Sequence, residues 1–319
     1  MNSPRICAVV VTCNRWACLQ ECLTGIKEQT LPVSEIFVID NASEDGTAEG
    51  LSRLFPGLRH VRLPKNVGSS GGFFEGMKRA YEEGFDWLWV MDDDAVPEPR
   101  ALQTMAETEV FARPDTGALA PRVLDTEGRS DPRSRTRQVD LRRFKTIRIF
   151  DGPEVTGKEI EINSATFVGL LIRRSVVEKI GLPRIDFFIA WDDIDYMHRL
   201  SVAGFKSYFV PKAEIVHLNA GTASQVTSRF LPPYTRLPVT ALWKSYYTWR
   251  NRIYLVREYS SPYVLLRESC KLALGILLFD DHKLRRLWVL MRAVRDGAKG
   301  RLGGSPTLAG LDGSVPVVD

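Results

Sequence analysis

Four strand-like runs, separated by helix-like stretches, occupy the first 94 residues and restrict the fold more than any other feature. They are "ICAVVVT" (6–12), "SEIFVID" (34–40), "LRHVRL" (58–63) and "FDWLWVMDDD" (85–94). The first is a continuous β-branched run, as in strands buried on both faces, and the second is of the same kind. Between them, "WACLQECLTGIKEQT" spaces Leu19, Leu23 and Ile26 at helical intervals. "DGTAEGLSRLF" and "NVGSSGGFFEGMKRAYEEG" supply the second and third helices. Strand and helix alternating at this spacing predict an α/β layered fold with a mostly parallel, Rossmann-like sheet flanked by helices.

The ends of these strands carry "TCNR", "DNAS", "NVGSSGG" and "DDDAVPEP". Open α/β sheets bind ligands outside the carboxyl ends of their strands, so the unusual polar residues gather where a ligand is expected. The Gly-rich turn lets backbone approach a ligand, and the helix it opens favours phosphate. It is not a G-x-G-x-x-G and it follows the third strand, which disfavours a dinucleotide-binding dehydrogenase.

Further along, a helix runs from Arg100 to about Ala112. "TGALAPRVLDTEGRSDPRSRTRQVDLRRF" reads as a polar, basic loop or hairpin. "INSATFVGLLIRRSVVEKIG" reads as strand then helix, and "KSYFVPKAEIVHLNAGT" as a strand pair ending in His217. From about 237 the pattern is helical, with Leu242, Tyr246, Trp249, Ile253 and Val256 on one stripe; further helices span roughly 262–279 and 281–299. The expected division is a domain at 1–236, in two halves of about 1–100 and about 101–236, and a basic amphipathic helical extension at 237–302. A Gly/Pro-rich flexible tail follows at 303–319.

The net charge of +4 conceals an asymmetry: residues 229–301 hold 15 Lys and Arg against 5 Asp and Glu, a local net of +10. That is either a solvated helical face or a contact with an anionic surface, for which Arg250, Arg252, Lys283, Arg285 and Arg286 are candidates. "CKLALGILLF" (270–279) is too short to cross a bilayer but could lie in its interface. The start of the chain reads as a strand rather than a signal peptide. The expectation is a cytoplasmic protein, peripheral on the inner face of the plasma membrane. The 5 cysteines form no C-x-x-C and read as reduced thiols, with no zinc spacing. No nucleic acid is expected as partner, and the oligomeric state is left open.

Asp92, Asp93 and Asp94 follow one another directly, and like charges so close repel. In extended backbone Asp92 and Asp94 share a side, where a hard divalent cation, Mg²⁺ or Mn²⁺, would neutralise them and bridge to a diphosphate. A calcium loop would want a Gly at the turn, which is missing; a solvated acidic turn is the bland alternative. "AWDDIDYMHRL" carries Asp192, Asp193 and Asp195. Trp191 can exclude water from a neighbouring carboxylate and tune one of Asp192 or Asp193 as a general base, whereas Asp195 suits a helix-capping role. His217 is a reasonable third ligand for Mn²⁺.

Together, "VVVTCNR", "VIDNASEDGT", "NVGSSGG" and "MDDDAVPEP" resemble the family 2 glycosyltransferases of GT-A fold, over roughly 5–220. The resemblance implies that 1–236 is a catalytic domain whose first half, about 1–100, binds the nucleotide sugar and whose second, about 101–236, binds the acceptor. Thr12, Asn14 and Arg15 would line a nucleotide pocket and Asp40 would recognise base or ribose. It puts Asn66, Gly68, Gly71, Gly72, Asp92 and Asp93 beside the nucleotide sugar. Asp92 and Asp94 become a D-x-D pair, with Asp94 the stronger metal ligand. "WDDIDY", His217, "YYTWRNRIYL" and "DGAKGRLGG" look like the bacterial galactofuranosyl- and rhamnosyltransferase branch. By that likeness Asp193 is the base, His217 completes the metal site, and Trp191 and Asp192 face the acceptor. An inverting transfer is implied, from UDP-galactofuranose or dTDP-rhamnose to a glycan or polyprenyl-diphosphate-linked glycan. The chain lacks the long N-terminal domain of the large polymerising members, which points to single addition. A sugar-nucleotide pyrophosphorylase would carry a Gly-rich basic loop after the first strand. A non-catalytic binding module would be expected to lose its acidic residues.

Overall fold

A computed structural model describes residues 4–131, 136–150, 155, 157–218, 224–226, 234–236 and 238–303. The first half follows the expected alternation: β1 (Ile6–Thr12), α1 (Trp16–Lys27), β2 (Glu35–Asp40), α2 (Thr47–Leu54), β3 (Arg59–Arg62), α3 (Gly68–Glu82) and β4 (Trp87–Asp92). There follow β5 (Ala95–Pro97), α4 (Ala101–Ala106), β6 (Thr116–Leu124), β7 (Arg137–Asp140), β8 (Lys145–Ile149), β9 (Ile160–Ile162), β10 (Leu170–Arg173) and α5 (Arg174–Ile180). Last come α6 (Asp192–Val202), β11 (Lys206–His217), α7 (Leu242–Tyr259), α8 (Pro262–Phe279) and α9 (Lys283–Ala298).

The main sheet runs β3-β2-β1-β4-β10-β6-β11-β5, with β9 also on β11. Its first half is parallel, as β2, β1 and β4 share direction with β3. Its second half is mixed, because β10 runs antiparallel to both β4 and β6. Both faces are covered. Ala8 and Val10 of β1 meet Leu19, Leu23 and Ile26 of α1 on one side; Val9 and Val11 meet Phe73 and Met77 of α3 on the other. Each fully buried Leu, Ile or Phe contributes about 2 kcal/mol by area, which sets the strand ends rigidly in place.

Three expectations change. "TGALAPRVL" is no loop but β6, buried between β10 and β11; the hairpin begins only at β7–β8. The helix after Arg100 stops at Ala106. The expected strand pair ending in His217 is one strand, β11, with an irregularity between Val210 and Glu214. The tail lies outside the described residues from 304 onward.

Helices α7–α9 form their own core around Tyr246, Trp249, Leu272, Ile276, Val289 and Ala293. The charge reading needs correction here. Arg250 and Arg286 are each 1% exposed and face carbonyls or carboxylates inside the protein, and Arg252 pairs with Glu268. They cannot steer the protein to a surface. Apolar residues also face outward, beside the exposed Arg267, Lys271 and Lys283: Tyr263, Leu266, Leu274, Leu277 and Leu278 form one stripe of α8, and Leu284, Trp288 and Met291 one stripe of α9. Among the described residues no helix is long and apolar enough to cross a membrane.

Candidate active site

Strand register assembles the first acidic cluster. Pairing of β1 with β4 sets Val11 beside Asp92, and pairing with β2 sets Thr12 beside Asp40. β5 turns back to pair with the end of β11, so that Ala95 lies opposite His217. The amide of Leu218 donates to the Asp94 carbonyl at 2.9 Å and fixes that turn. Residues far apart in the chain are thereby in contact without any loop having to close.

Arg15 straddles two carboxylates, at 2.8 Å from Asp93 Oδ1 and 2.6 Å from Asp94 Oδ2. The Thr12 hydroxyl donates to Asp93 Oδ2 at 2.7 Å. His217 Nε2 lies 3.2 Å from Asp94 Oδ1, and its Nδ1 lies 2.7 Å from Asp131 Oδ2. These partners separate the three carboxylates electrically. Burial raises Asp92 well above the ordinary range, and repulsion from Asp94 and Asp93 adds to it. Burial also raises Asp93, to about 6, against the pull of Arg15 and Thr12. At Asp94 burial is overcome by His217 and Arg15, which hold the carboxyl far below the usual range. At His217 burial opposes charge, but Asp131 and Asp94 outweigh it and lift the pKa to about 9.

The cluster holds more carboxylates than cations, and the raised Asp92 reports that shortage. Among the described residues no group of three His, Cys, Asp or Glu is placed so that it could hold a metal ion as it stands. The donor chemistry nevertheless fits a divalent ion: two carboxylates and one imidazole. Asp94 Oδ1 and His217 Nε2, 3.2 Å apart, are spaced about as two ligands of one ion with metal–ligand bonds near 2.1 Å are. Asp131 on the far ring nitrogen completes the carboxylate–histidine arrangement that orients metal-binding imidazoles.

The second cluster opens α6. Trp191 precedes it with φ 70° and no side-chain cap. Burial raises Asp193 to about 7 and the neighbouring Asp192 adds to it, while the Ile194 amide and Arg137 oppose. Burial raises Asp192 to about 6, with helix amides and the nearby Ser70 hydroxyl working against it. Ser70 is close enough to influence that charge, yet Ser70 Oγ and Asp192 Oδ2 both stay buried without hydrogen-bond geometry to any partner. The two clusters are linked through the start of α3: the Ser70 amide donates to Phe188 O at 3.2 Å in the loop before Asp192, and Gly72 packs against Val11, the strand neighbour of Asp92. Asp195 does not cap the helix as expected. Its carboxylate is tied to Arg199 one turn on and accepts the Tyr259 hydroxyl of α7, both at 2.8 Å.

The remaining candidates shape loops. Asp40 is fully buried, accepting from the Ser43 amide at 2.7 Å and lying 3.2 Å from His60 Nε2. Asn14 accepts from the Glu44 amide at 2.6 Å. Asn66 accepts from the Gly68 amide at 2.8 Å. The glycines serve close packing. A Cβ at Gly68, where φ is 76°, would overlap the Phe188 carbonyl oxygen, and one at Gly72 would overlap the Val11 side chain. Trp191 packs against Phe144 of the β7–β8 turn, ring centroids 5.6 Å apart.

Several residues escape a reading by motif. Asp131 and His60 have no distinctive sequence context. Asn41, which accepts from the Val67 amide and donates to the Gly68 carbonyl, sits visibly in "DNAS" but without a reason to name it.

A doubly covered sheet with one acid cluster at its strand ends and a second at the head of α6 is the arrangement of a glycosyltransferase of GT-A fold. The model of the family described as Glycosyl transferase family 2 matches residues 7–181, more than half of the chain, and the chain belongs to that family. It is 27% identical over 305 residues to the galactofuranosyltransferase GlfT1 of Mycobacterium tuberculosis, covering 93% of this chain and 96% of that one. It is 23% identical over 232 residues to the N-acetylglucosaminyl-diphospho-decaprenol L-rhamnosyltransferase of the same organism, covering 66% and 75%. Among solved structures it is similar to the mannosyltransferase PcManGT of Pyrobaculum calidifontis in complex with GDP-Man and Mn²⁺. The TM-score is 0.51 at 17% identity, over 97% of this chain and 79% of that one.

Proposed function

We propose that the protein is an inverting, metal-dependent glycosyltransferase that moves a sugar, favoured as galactofuranose from its UDP donor, to a hydroxyl of a glycan or polyprenyl-diphosphate-linked glycan. The observation that carries the reading is the approach of the two clusters across the start of α3, through Ser70 to the loop before Asp193 and through Gly72 to Val11 beside Asp92. One is rich in metal-ligand donors and the other holds a carboxylate raised by burial to about 7. Asp92, Asp94 and His217 would hold a divalent cation, which when bound offsets charge on the departing nucleoside diphosphate. Arg15 keeps Asp93 and Asp94 ionised. Asp193 takes the proton of the acceptor hydroxyl as its oxygen attacks the anomeric carbon from the face opposite the diphosphate. The sugar–phosphate bond breaks as the new bond forms, so the configuration inverts. Ser70 Oγ and Asp192 Oδ2, both orphaned, would be satisfied by a sugar hydroxyl.

The GlfT1 relative supports galactofuranose, and the rhamnosyltransferase relative supports dTDP-rhamnose as the second reading and a lipid diphosphate as acceptor. The test is nucleotide release from a donor panel with Mn²⁺ and an octyl disaccharide or lipid-linked acceptor, with Asp193→Asn as control. Acceptor-dependent UDP release from UDP-galactofuranose, lost in the variant, is the expected result. TDP release from dTDP-rhamnose would move the enzyme to the rhamnosyl reading. No release from any donor by folded protein would favour a binding module.

A lipid-linked acceptor also gives the outward apolar stripes of α8 and α9 a use, lying in the headgroup region of an anionic membrane with Lys283 exposed beside them. Flotation with anionic vesicles should carry the protein upward, and Leu274→Glu with Leu277→Glu should abolish that. Absence of binding by the unaltered protein would remove membrane association from the proposal.

A further inference from the structure

The loop before the second cluster is strained and tied down from outside. Phe188, Ala190 and Trp191 have φ of 65°, 68° and 70°. Side chains with a Cβ are disfavoured there, and none of the three is glycine or asparagine. Such a conformation persists only where its surroundings impose it.

Its carbonyls show what imposes it. The Asn251 side-chain amide donates to the carbonyls of Phe187 at 2.9 Å, Ile189 at 2.9 Å and Ala190 at 3.0 Å. Arg250 Nη2 donates to Asp186 O at 3.0 Å and to Phe187 O at 3.1 Å. The Ser70 amide of α3 reaches Phe188 O at 3.2 Å. Five consecutive carbonyls, from Asp186 to Ala190, are thus held, four of them by two adjacent residues of α7. Arg250 Nε also donates to Asn251 Oδ1 at 2.9 Å and so fixes which way the amide points. Asn251 is fully buried and Arg250 nearly so. A buried guanidinium directed at neutral oxygens is costly to keep, and burial lowers its pKa. A connection whose only duty was to join α5 to α6 could have relaxed through a glycine.

The loop leads directly into α6, whose first two residues are Asp192 and Asp193. Because no side chain caps that helix, its start is aimed by the loop, and Tyr259 of α7 holds its flank through Asp195. We infer that Arg250 and Asn251 are positioning residues of the transfer reaction: from α7 they hold the strained 186–191 loop so that Trp191 and Asp193 meet the acceptor. The C-terminal helices are then part of the acceptor site. This rests on the reading of Asp193 as the base.

The test compares Asn251→Ala, Arg250→Lys and Asn251→Ala with Ala190→Gly, each checked for folding by thermal melting. Asn251→Ala should lower kcat about hundredfold, the effect of displacing a reacting group by about 1 Å, with nucleotide affinity within about twofold of wild type. Amide exchange at 187–193 should rise, and the acid limb of the pH profile should move below 7 as water reaches Asp193. Adding Ala190→Gly, which removes one left-handed penalty, should recover about tenfold. Arg250→Lys, which keeps the charge but loses the fork, should show the same pattern more weakly, and it serves if Asn251→Ala does not fold. Folded variants with unchanged kcat and unchanged acid limb would overturn the proposal. So would a loss that merely tracks the unfolded fraction. Inactive Asn251→Ala beside an active Asp193→Asn would instead remove Asp193 as base, while the exchange data would still establish the clamp on the loop.

Discussion

Two aspartate triplets that look alike in sequence share burial but differ in the cations that meet them. Asp92, Asp93 and Asp94 sit at rigid strand ends and meet fixed cations: Arg15 spans two of them and His217 reaches the third side of Asp94. Asp192 and Asp193 sit at the head of a helix behind a strained loop, and their charge is opposed by burial more than by any cation. The first cluster is short of positive charge, which suits a divalent ion. The second retains protons into the neutral range, which suits a base. Composition cannot make that distinction; what each triplet is packed against does.

The widest separation between the clusters should appear in kinetics. Asp193→Asn should lower kcat by about 10²- to 10⁴-fold, the range of a lost general base, with Mn²⁺ and nucleotide affinity unchanged. Asp94→Asn should do the reverse at low metal, weakening Mn²⁺ binding in titration calorimetry before it alters chemistry. Loss of metal binding in Asp193→Asn would collapse the distinction between the clusters. Next in size is Asp131→Ala. An orienting partner of a metal-bound imidazole typically contributes about 10- to 100-fold in metal affinity, and saturating Mn²⁺ should restore most of kcat. A kcat that stays low at any Mn²⁺ concentration would assign Asp131 to the reaction itself.

The contrast between triplets also explains what was legible beforehand. The alternation through β4 was plain because both faces of those strands are buried, so apolar runs and turn residues mark the elements. Strand β6 was hidden because "TGALAPRVL" carries Gly117 and Pro121, which read as a turn. In the fold, Pro121 lies opposite Val210, just before β11 becomes irregular, where a missing amide hydrogen is tolerated. The residue types of the site were visible in Asp92, Asp94, Asp193 and His217. Their supports were not. Asp131 is brought in by a bridge between Leu124 and Ser130 and by its amide donating to Val123 O at 3.0 Å, contacts that leave no local pattern. The charge count misled at Arg250 and Arg286 for the same reason: a sum over residues is blind to burial.

A pH dependence should sharpen the comparison further. For kcat/KM, Asp193 must be unprotonated, so activity should fall about tenfold per pH unit below about 7. Metal binding likewise requires a proton to be lost, at His217 and at a higher pH. With its pKa lifted to about 9, the imidazole is charged at neutral pH and must lose its proton to bind Mn²⁺. Calorimetry at about pH 7.5 in buffers of different ionisation enthalpy should therefore detect protons released on Mn²⁺ binding by both His217 and the raised Asp92. Asp92→Asn should remove one share and leave up to one proton; no release near neutrality in that variant would mean that His217 is not a ligand.

The smallest expected effect separates the clusters most cleanly, because one substitution should change sign between them. Asp193 has its folded pKa raised above the unfolded value, so the native state holds the proton more tightly and stability falls as pH rises from about 4 through 7. Asn in its place removes that liability. At about pH 8 the melting temperature of Asp193→Asn should rise by about 3 °C, the shift for roughly 1 kcal/mol in a chain of this size, and at about pH 4 it should match wild type. Asp94 has its folded pKa depressed by His217 and Arg15, so its contribution is present above about 4 and is lost as pH falls toward its folded pKa. Asp94→Asn should lower the melting temperature at about pH 8, because it removes the carboxylate that pairs with both Arg15 and His217. Differential scanning calorimetry of both variants, without metal, reads the two signs directly. Two shifts of the same sign would mean that the triplets share one electrostatic role.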